Sequence, residues 1–96
     1  MHTLPLPIEH DHPAYAGHFP GRPILPGVVL LDRAQRALEA ACQCHITGLA
    51  QAKFLSPVTP GEALELDYEA GAAGLRFEIR CGTRRVASGR YSLAMP

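Results

Sequence analysis

Hydrophobic and polar residues alternate strictly through much of the second half of the chain. In residues 75–81, four apolar side chains alternate with Arg76, Glu78 and Arg80, and residues 63–69 alternate in the same way. A period of two is typical of antiparallel strands with one face in water. We therefore predict four strands, at residues 46–54, 63–69, 75–81 and 85–94. A tight turn at Gly82-Thr83 is predicted to precede the last strand.

The first half of the chain follows a different pattern. Residues 9–26 contain four prolines and two glycines, which excludes a helix or a central strand and predicts an ordered loop. Apolar residues then recur at helical spacing over 27–44, with Pro26 and Gly27 at the predicted helix start. The apolar face of this helix is broad, so we expect other elements to surround it. Residues 3–8 are predicted as a short edge strand.

One helix and a run of antiparallel strands indicate an α+β fold. The length of 96 residues predicts a single domain spanning residues 1–96. So short a chain buries a small fraction of its surface, and we expect a partner subunit to stabilise it.

Composition and charge restrict the function further. Nine Lys and Arg residues balance nine Asp and Glu residues, which argues against bulk electrostatic binding to nucleic acid. No apolar run reaches the roughly 18 residues of a membrane span, and no signal-peptide pattern begins the chain. Three cysteines, an odd number, favour a reducing compartment. These features predict a soluble cytoplasmic protein that binds neither nucleic acid nor membrane.

The charges are unevenly distributed along the strands. Residues 62–69 contain four acidic residues, whereas residues 76–90 contain five arginines and one acid. Two interpretations are open: the strands pair their opposite charges across the sheet, or the arginines form a basic patch for an acidic partner protein.

The proline-rich loop and the start of the helix hold the residues best suited to catalysis. Prolines restrict the loop around His18, and an imidazole exchanges protons near neutral pH. Gly27 offers a backbone N–H at the positive end of the helix dipole, where it can polarise a carbonyl oxygen. Asp32 follows five positions later, and partial desolvation there would let it hold a proton. Simpler roles exist: His18 bonded to backbone, and Asp32 stabilised by the dipole or paired with Arg36.

These residues resemble the signature of the β-hydroxyacyl-acyl-carrier-protein dehydratases of the hotdog superfamily. The chain reads GHFPGRPILPG from Gly17 to Gly27 and then VVLLD, ending at Asp32, which matches the family pattern at every defined position. The stretch LPGVVLLDRA is similar to the short dehydratases of aryl polyene pathways. The resemblance implies a hotdog fold, in which an antiparallel sheet wraps one central helix.

The resemblance also implies roles for individual residues and partners. His18 and Asp32 would be the catalytic pair, meeting across a dimer interface, and Gly27 with Val28 would bind the thioester carbonyl. The substrate tunnel would be lined by Phe19, Pro26, Leu31 and Phe54. The substrate would arrive on the phosphopantetheine of an acyl carrier protein, so the enzyme would need no metal or other cofactor. The protein would form a homodimer or pair with a related hotdog chain, and it would act in fatty acid or polyene-type biosynthesis.

The chain departs from the family pattern beside the acid. Arg36 stands where members often carry Gln, Arg33 adjoins the acid, and Asp32 replaces the Glu of the commoner branch. Two alternatives therefore stay open: a hotdog thioesterase, and a weakly active partner subunit of a heteromeric dehydratase. A metal site at His10 and His12, or at the Cys42, Cys44 and His45 cluster, is disfavoured because the spacings do not match common zinc patterns.

Overall fold

The computed structural model describes residues 1–8, 24–59 and 61–94. These residues form one helix and five antiparallel strands: β1 (His2–Pro5), α1 (Gly27–Cys42), β2 (Ile46–Phe54), β3 (Glu65–Gly71), β4 (Gly74–Cys81) and β5 (Arg84–Leu93). The predicted α+β class is confirmed. Of the predicted loop at 9–26, residues 9–23 lie outside the described residues.

The strands form a single sheet in the order β1-β3-β4-β5-β2. β3, β4 and β5 are neighbours in sequence and are joined by two tight turns, one of them at Gly82-Thr83 as predicted. Gly82 has a φ of 62°, a left-handed conformation that favours glycine in such a turn. β1 and β2 occupy the two edges of the sheet, which places β2 beside β5 rather than beside the strand that follows it in the chain.

α1 packs against one face of the sheet through a stripe of residues one turn apart, Leu30, Ala34 and Leu38. The helix ends at Cys42, two residues earlier than predicted, because Gln43 adopts a left-handed conformation that turns the chain away. The sheet contributes the other half of the core, in which the largest fully buried side chains besides Leu38 are Leu66, Leu75, Ile79, Val86 and Tyr91.

The charged side chains of β3 and β4 lie on the opposite face of the sheet. Arg80 forms ion pairs with Asp67 at 2.7 Å and Glu65 at 3.0 Å, and Arg85 pairs with Glu78 at 3.0 Å. The first interpretation of the uneven charge, pairing across strands, is therefore confirmed for these arginines. It does not account for Arg76 and Arg90.

Candidate active site

The described site residues cluster around the start of α1 and the end of β2. The catalytic histidine candidate His18 and the tunnel candidate Phe19 lie outside the described residues. The remaining candidates occupy the N-cap of α1, its first two turns and the last position of β2; they are Pro26, Gly27, Val28, Leu31, Asp32 and Phe54.

The first turn of α1 has no side-chain cap, because the N-cap residue is Pro26. The Pro26 carbonyl accepts hydrogen bonds from the N–H groups of Val29 at 3.1 Å and Leu30 at 3.3 Å. Among the described residues, no acceptor binds the N–H groups of Gly27 and Val28. Two donors at the positive end of the helix dipole are thus available to an oxygen atom.

A close approach of β2 explains the glycine at position 27. A Cβ atom there would lie 2.6 Å from two ring atoms of Phe54. Carbon atoms in contact are normally about 3.5–4.0 Å apart, so any larger residue would push the ring aside. The absence of a side chain at position 27 therefore lets the aromatic ring of Phe54 lie against the start of α1.

Next to this contact is an apolar groove of about 540 Å³. Its lining includes Gly27, Val28 and Phe54, together with the apolar side chains of Ile24, Leu25, Leu30, Leu55 and Val58. A backbone hydrogen bond from Leu25 N–H to the Val58 carbonyl, 2.9 Å long, joins two of these lining residues. This groove can hold a hydrocarbon chain beside a polar end group bound at the helix start.

Pro26 and Leu31, both predicted to line the tunnel, do not line this groove, whereas Leu30 does. The helical turn directs the side chains of Leu30 and Leu31 to different faces. The Leu31 carbonyl oxygen instead accepts a hydrogen bond of 2.7 Å from the hydroxyl of Tyr91.

Asp32 lies one turn after Val28, and both residues line a second, shallow groove on α1. Its side chain is 52% exposed, and its Oδ2 lies 3.0 Å from Nε of Arg36. The expected desolvation of Asp32 is therefore not found in the single chain. The simpler alternative, pairing with Arg36 one turn later, describes its environment there.

Tyr91 is a residue near the site that sequence reasoning did not single out. It is 1% exposed and its ring stacks on Phe77 with centroids 4.7 Å apart. Burial, and then the negative charge of Asp32, raise the pKa of its hydroxyl far above the ordinary value, so it acts as a neutral donor. The sequence did contain a signal for this contact: a tyrosine at a position of the last strand that faces the core needs a hydrogen-bond partner for its buried hydroxyl.

Of the cysteines in the disfavoured metal cluster, Cys44 donates a hydrogen bond of 3.8 Å from Sγ to the Leu38 carbonyl. Cys44 follows the end of α1, and burial, with Cys42 as the next cause, raises the pKa of its thiol. Glu39 accepts a hydrogen bond of 3.0 Å from the N–H of Ile46 and so ties the helix to β2. Among the described residues, no group of three or more His, Cys, Asp or Glu side chains is arranged to hold a metal ion. His10 and His12 lie outside these residues.

Among residues 1–8, 24–59 and 61–94, no helix combines the length and hydropathy that crossing a bilayer requires.

Comparisons with solved structures place this architecture among known folds. The ApeI:P dehydratase heterocomplex from Xenorhabdus doucetiae is similar, with a TM-score of 0.81 and 24% identity over 97% of this chain and 86% of the other. An uncharacterised protein from Erwinia carotovora subsp. atroseptica gives a TM-score of 0.71 at 30% identity, covering 96% and 79% of the two chains. The predicted hotdog fold is confirmed.

Comparisons of sequence point the same way. The 3-hydroxyacyl-[acyl-carrier-protein] dehydratase FabZ of Haemophilus influenzae (strain PittEE) is 30% identical over 104 residues, which cover 86% of this chain and 70% of the relative. FabZ of Klebsiella pneumoniae is 35% identical over 85 residues, covering 74% and 56%. The ApeI-like family, described as ApeI dehydratase, matches residues 1–90. The chain therefore belongs to the ApeI-like family of dehydratases.

Proposed function

We propose that this protein dehydrates a 3-hydroxyacyl group carried on an acyl carrier protein, giving a trans-2-enoyl thioester in fatty acid or polyene-type biosynthesis. The observation that carries the proposal is the uncapped start of α1. It presents two free N–H groups, from Gly27 and Val28, beside an apolar groove and one turn before an acid. The FabZ relatives are 3-hydroxyacyl-[acyl-carrier-protein] dehydratases, and this similarity supports the proposed substrate class.

In this mechanism the N–H of Gly27, assisted by that of Val28, binds the thioester carbonyl oxygen. The helix dipole stabilises the negative charge that develops there, which makes the α-proton more acidic. His18 removes that proton, and Asp32 in its protonated form donates a proton to the β-hydroxyl. The α-C–H and β-C–O bonds break, the α–β double bond forms and water leaves. The acyl chain lies along the groove next to Phe54.

The role of Asp32 requires an environment drier than the one that the single chain provides. In the single chain the Asp32 carboxyl group is half exposed and paired with Arg36, so the mechanism needs a second chain that covers Asp32 and separates it from Arg36. We infer that this second chain also supplies His18. It is either another copy of this protein or a related hotdog chain, as in the heterocomplex formed by the ApeI:P relative.

The free edge of β2 and the surface around it support such a dimer. Among the described residues β2 pairs with β5 on one side and with no strand on the other. The large hydrophobic side chains exposed in this region are Val28 at 74%, Leu49 at 45%, Phe54 at 56% and Leu55 at 51%. An unpaired strand edge beside exposed apolar side chains is typical of a subunit interface.

The activity test uses purified protein and a 3-hydroxyacyl carrier protein, with product analysis by mass spectrometry. We expect an enoyl thioester, and a rate at least about 100-fold lower for His18→Ala and Asp32→Asn, since each removes a proton-transfer group. His45→Ala and Glu69→Gln are matched controls, because both side chains are exposed and lie away from the groove. Free acid as the product would replace dehydration by thioester hydrolysis, and full activity in either site variant would remove the assignment.

The assembly test is sedimentation equilibrium of the wild type, Leu49→Asp and Ala73→Asp. We expect a dimer that dissociates only in Leu49→Asp, because Ala73 lies in the β3–β4 turn, away from β2. An unchanged dimer in Leu49→Asp would place the interface elsewhere.

A second candidate function, a partner subunit without activity of its own, is favoured by the Asp32–Arg36 pair. In that case the purified chain is inactive and gains activity only with a second dehydratase chain. His18→Ala or Asp32→Asn of this chain then leaves the activity of the mixed assembly unchanged.

A further inference from the structure

The sheet face opposite α1 carries a groove of about 210 Å³ that the proposed dehydration does not use. It lies across β2, β5 and β4, and the strand register sets its polar side chains side by side. Arg90 of β5 lies opposite Arg76 of β4 and opposite Gln51 of β2, and Ser88 lies opposite Lys53. The groove is therefore built from three adjacent strands, which hold its side chains at fixed spacings.

The groove concentrates positive charge in a chain whose net charge is zero. Its lining contains four cationic side chains and a single acid, Glu78, which is already paired with Arg85. Neither Lys53 nor Arg76 nor Arg90 forms an ion pair among the described residues. Among the described residues these three side chains thus line the same cavity without an ion pair, although Glu69 of β3 lies opposite Arg76 in the strand register.

Arg90 provides the observation that points to a ligand. Its Nε atom is buried and has no hydrogen-bond partner among the described residues. A buried donor without an acceptor destabilises a fold, and more so when it is charged. Arg76 directly across the strand adds like-charge repulsion. The repulsion between the two arginines would fall if an anion lay between their side chains.

We propose that this groove binds a phosphate group, with Arg76 and Arg90 as its two guanidinium ligands. A guanidinium binds phosphate through two parallel N–H donors, and Lys53 adds a point charge. Gln51 and Ser88 supply neutral donors to the remaining oxygen atoms. A dianion matches the surplus of unpaired cations better than a single carboxylate does, and the cavity is the size of a small ligand group rather than of a flat protein-docking surface.

The test follows the amide signals of the wild-type protein by NMR during titration with inorganic phosphate at constant ionic strength. We expect saturable shifts confined to the strand segments that line the groove, around residues 76–78 and 88–90. Arg76→Gln and Arg90→Gln should each lower the affinity at least tenfold. Arg84→Gln is the matched control with the same loss of charge, because Arg84 pairs with Glu62 and does not line the groove.

Two further titrations identify the source of the phosphate and the competing possibility. A phosphorylated sugar and a phosphoserine peptide distinguish a small molecule from a modified protein, since both carry the proposed group. An unphosphorylated peptide of glutamates provides carboxylates only. Saturation by that peptide without competition from phosphate would overturn the proposal, and so would phosphate shifts that are weak, unsaturable and equal in all variants.

Discussion

Replacing Tyr91 by phenylalanine tests whether the helix and the sheet are held in register near the proposed site. The hydroxyl of Tyr91 donates a hydrogen bond of 2.7 Å to the Leu31 carbonyl, and its ring stacks on Phe77. Phenylalanine keeps the ring and its stacking, so the change removes the hydrogen bond alone. A hydrogen bond of this kind contributes about 0.5–1.5 kcal/mol to the free energy of unfolding. We expect a loss of about 1 kcal/mol.

For a domain of this size, 1 kcal/mol corresponds to a fall in Tm of about 4–8 °C. Chemical denaturation followed by circular dichroism measures the free energy, and a thermal scan measures Tm. Tyr68→Phe is the matched control, because Tyr68 is a partly buried tyrosine on β3 without a hydrogen bond from its hydroxyl among the described residues. The control should stay within about 0.5 kcal/mol of the wild type. Equal losses in the two variants, or none in Tyr91→Phe, would refute the reasoning.

Three other changes test the packing and charges described above. Gly27→Ala should leave the free energy of unfolding within about 1 kcal/mol of the wild type, because the exposed Phe54 ring can move away from the new methyl group. The same change should lower kcat/KM, and this loss of activity should be smaller in a Phe54→Leu background. Leu38→Ala should cost about 2–5 kcal/mol in denaturant, because Leu38 is fully buried; a loss below 1 kcal/mol would contradict its place in the core. A hydrogen bond from the Arg80 guanidinium, and as a smaller cause one from the Thr3 hydroxyl, hold the pKa of Asp67 below its ordinary value of 3.8. The stabilisation that ionised Asp67 provides is therefore complete above that value and is lost as pH falls through the lowered pKa. In acid titrations below pH 3.8, the free energy of unfolding of Asp67→Asn should therefore fall less steeply with pH than that of the wild type.

Sequence patterns predicted the secondary structure well where one face of an element meets water and the other meets the core. The alternation in 75–81 reproduces β4, and the helical spacing from Gly27 reproduces α1 to within two residues at its end. Both patterns record burial directly, since a side chain's face follows from its position in the repeat.

The sequence did not predict which strands become neighbours. β2 precedes β3 in the chain but lies at the opposite side of the sheet, against β5. Alternation along a strand identifies its faces and carries no information about its edges. The split among the arginines was not foreseen either. The strand register places both Arg80 and Arg76 between an acid of β3 and an arginine of β5, yet of these two only Arg80 forms an ion pair among the described residues.

The places of two candidate site residues could be predicted, and their catalytic roles stay predictions. The loop-and-helix motif placed Gly27 and Asp32 in the first turns of a helix, and both lie at the start of α1. The surroundings of Asp32 could not be predicted, because the exposure of a helix face depends on what covers it. The broad apolar face of α1 suggested that the helix is surrounded, whereas in the single chain its buried residues are Leu30, Ala34 and Leu38. We attribute the remaining cover to the proposed second chain.

The strand order has a consequence for the order in which the molecule folds and opens. β3, β4 and β5 are connected by two-residue turns, so they can assemble with little loss of chain entropy. β2 and β5 pair although they are far apart in the sequence, with Ile46 opposite Leu93 and Phe54 opposite Ala87. Late-forming contacts of high sequence separation are often those that open first in the native state. We therefore expect the amides of β2 to exchange with deuterium faster than those of the central strand β4 in the isolated chain, and to gain protection when two chains associate.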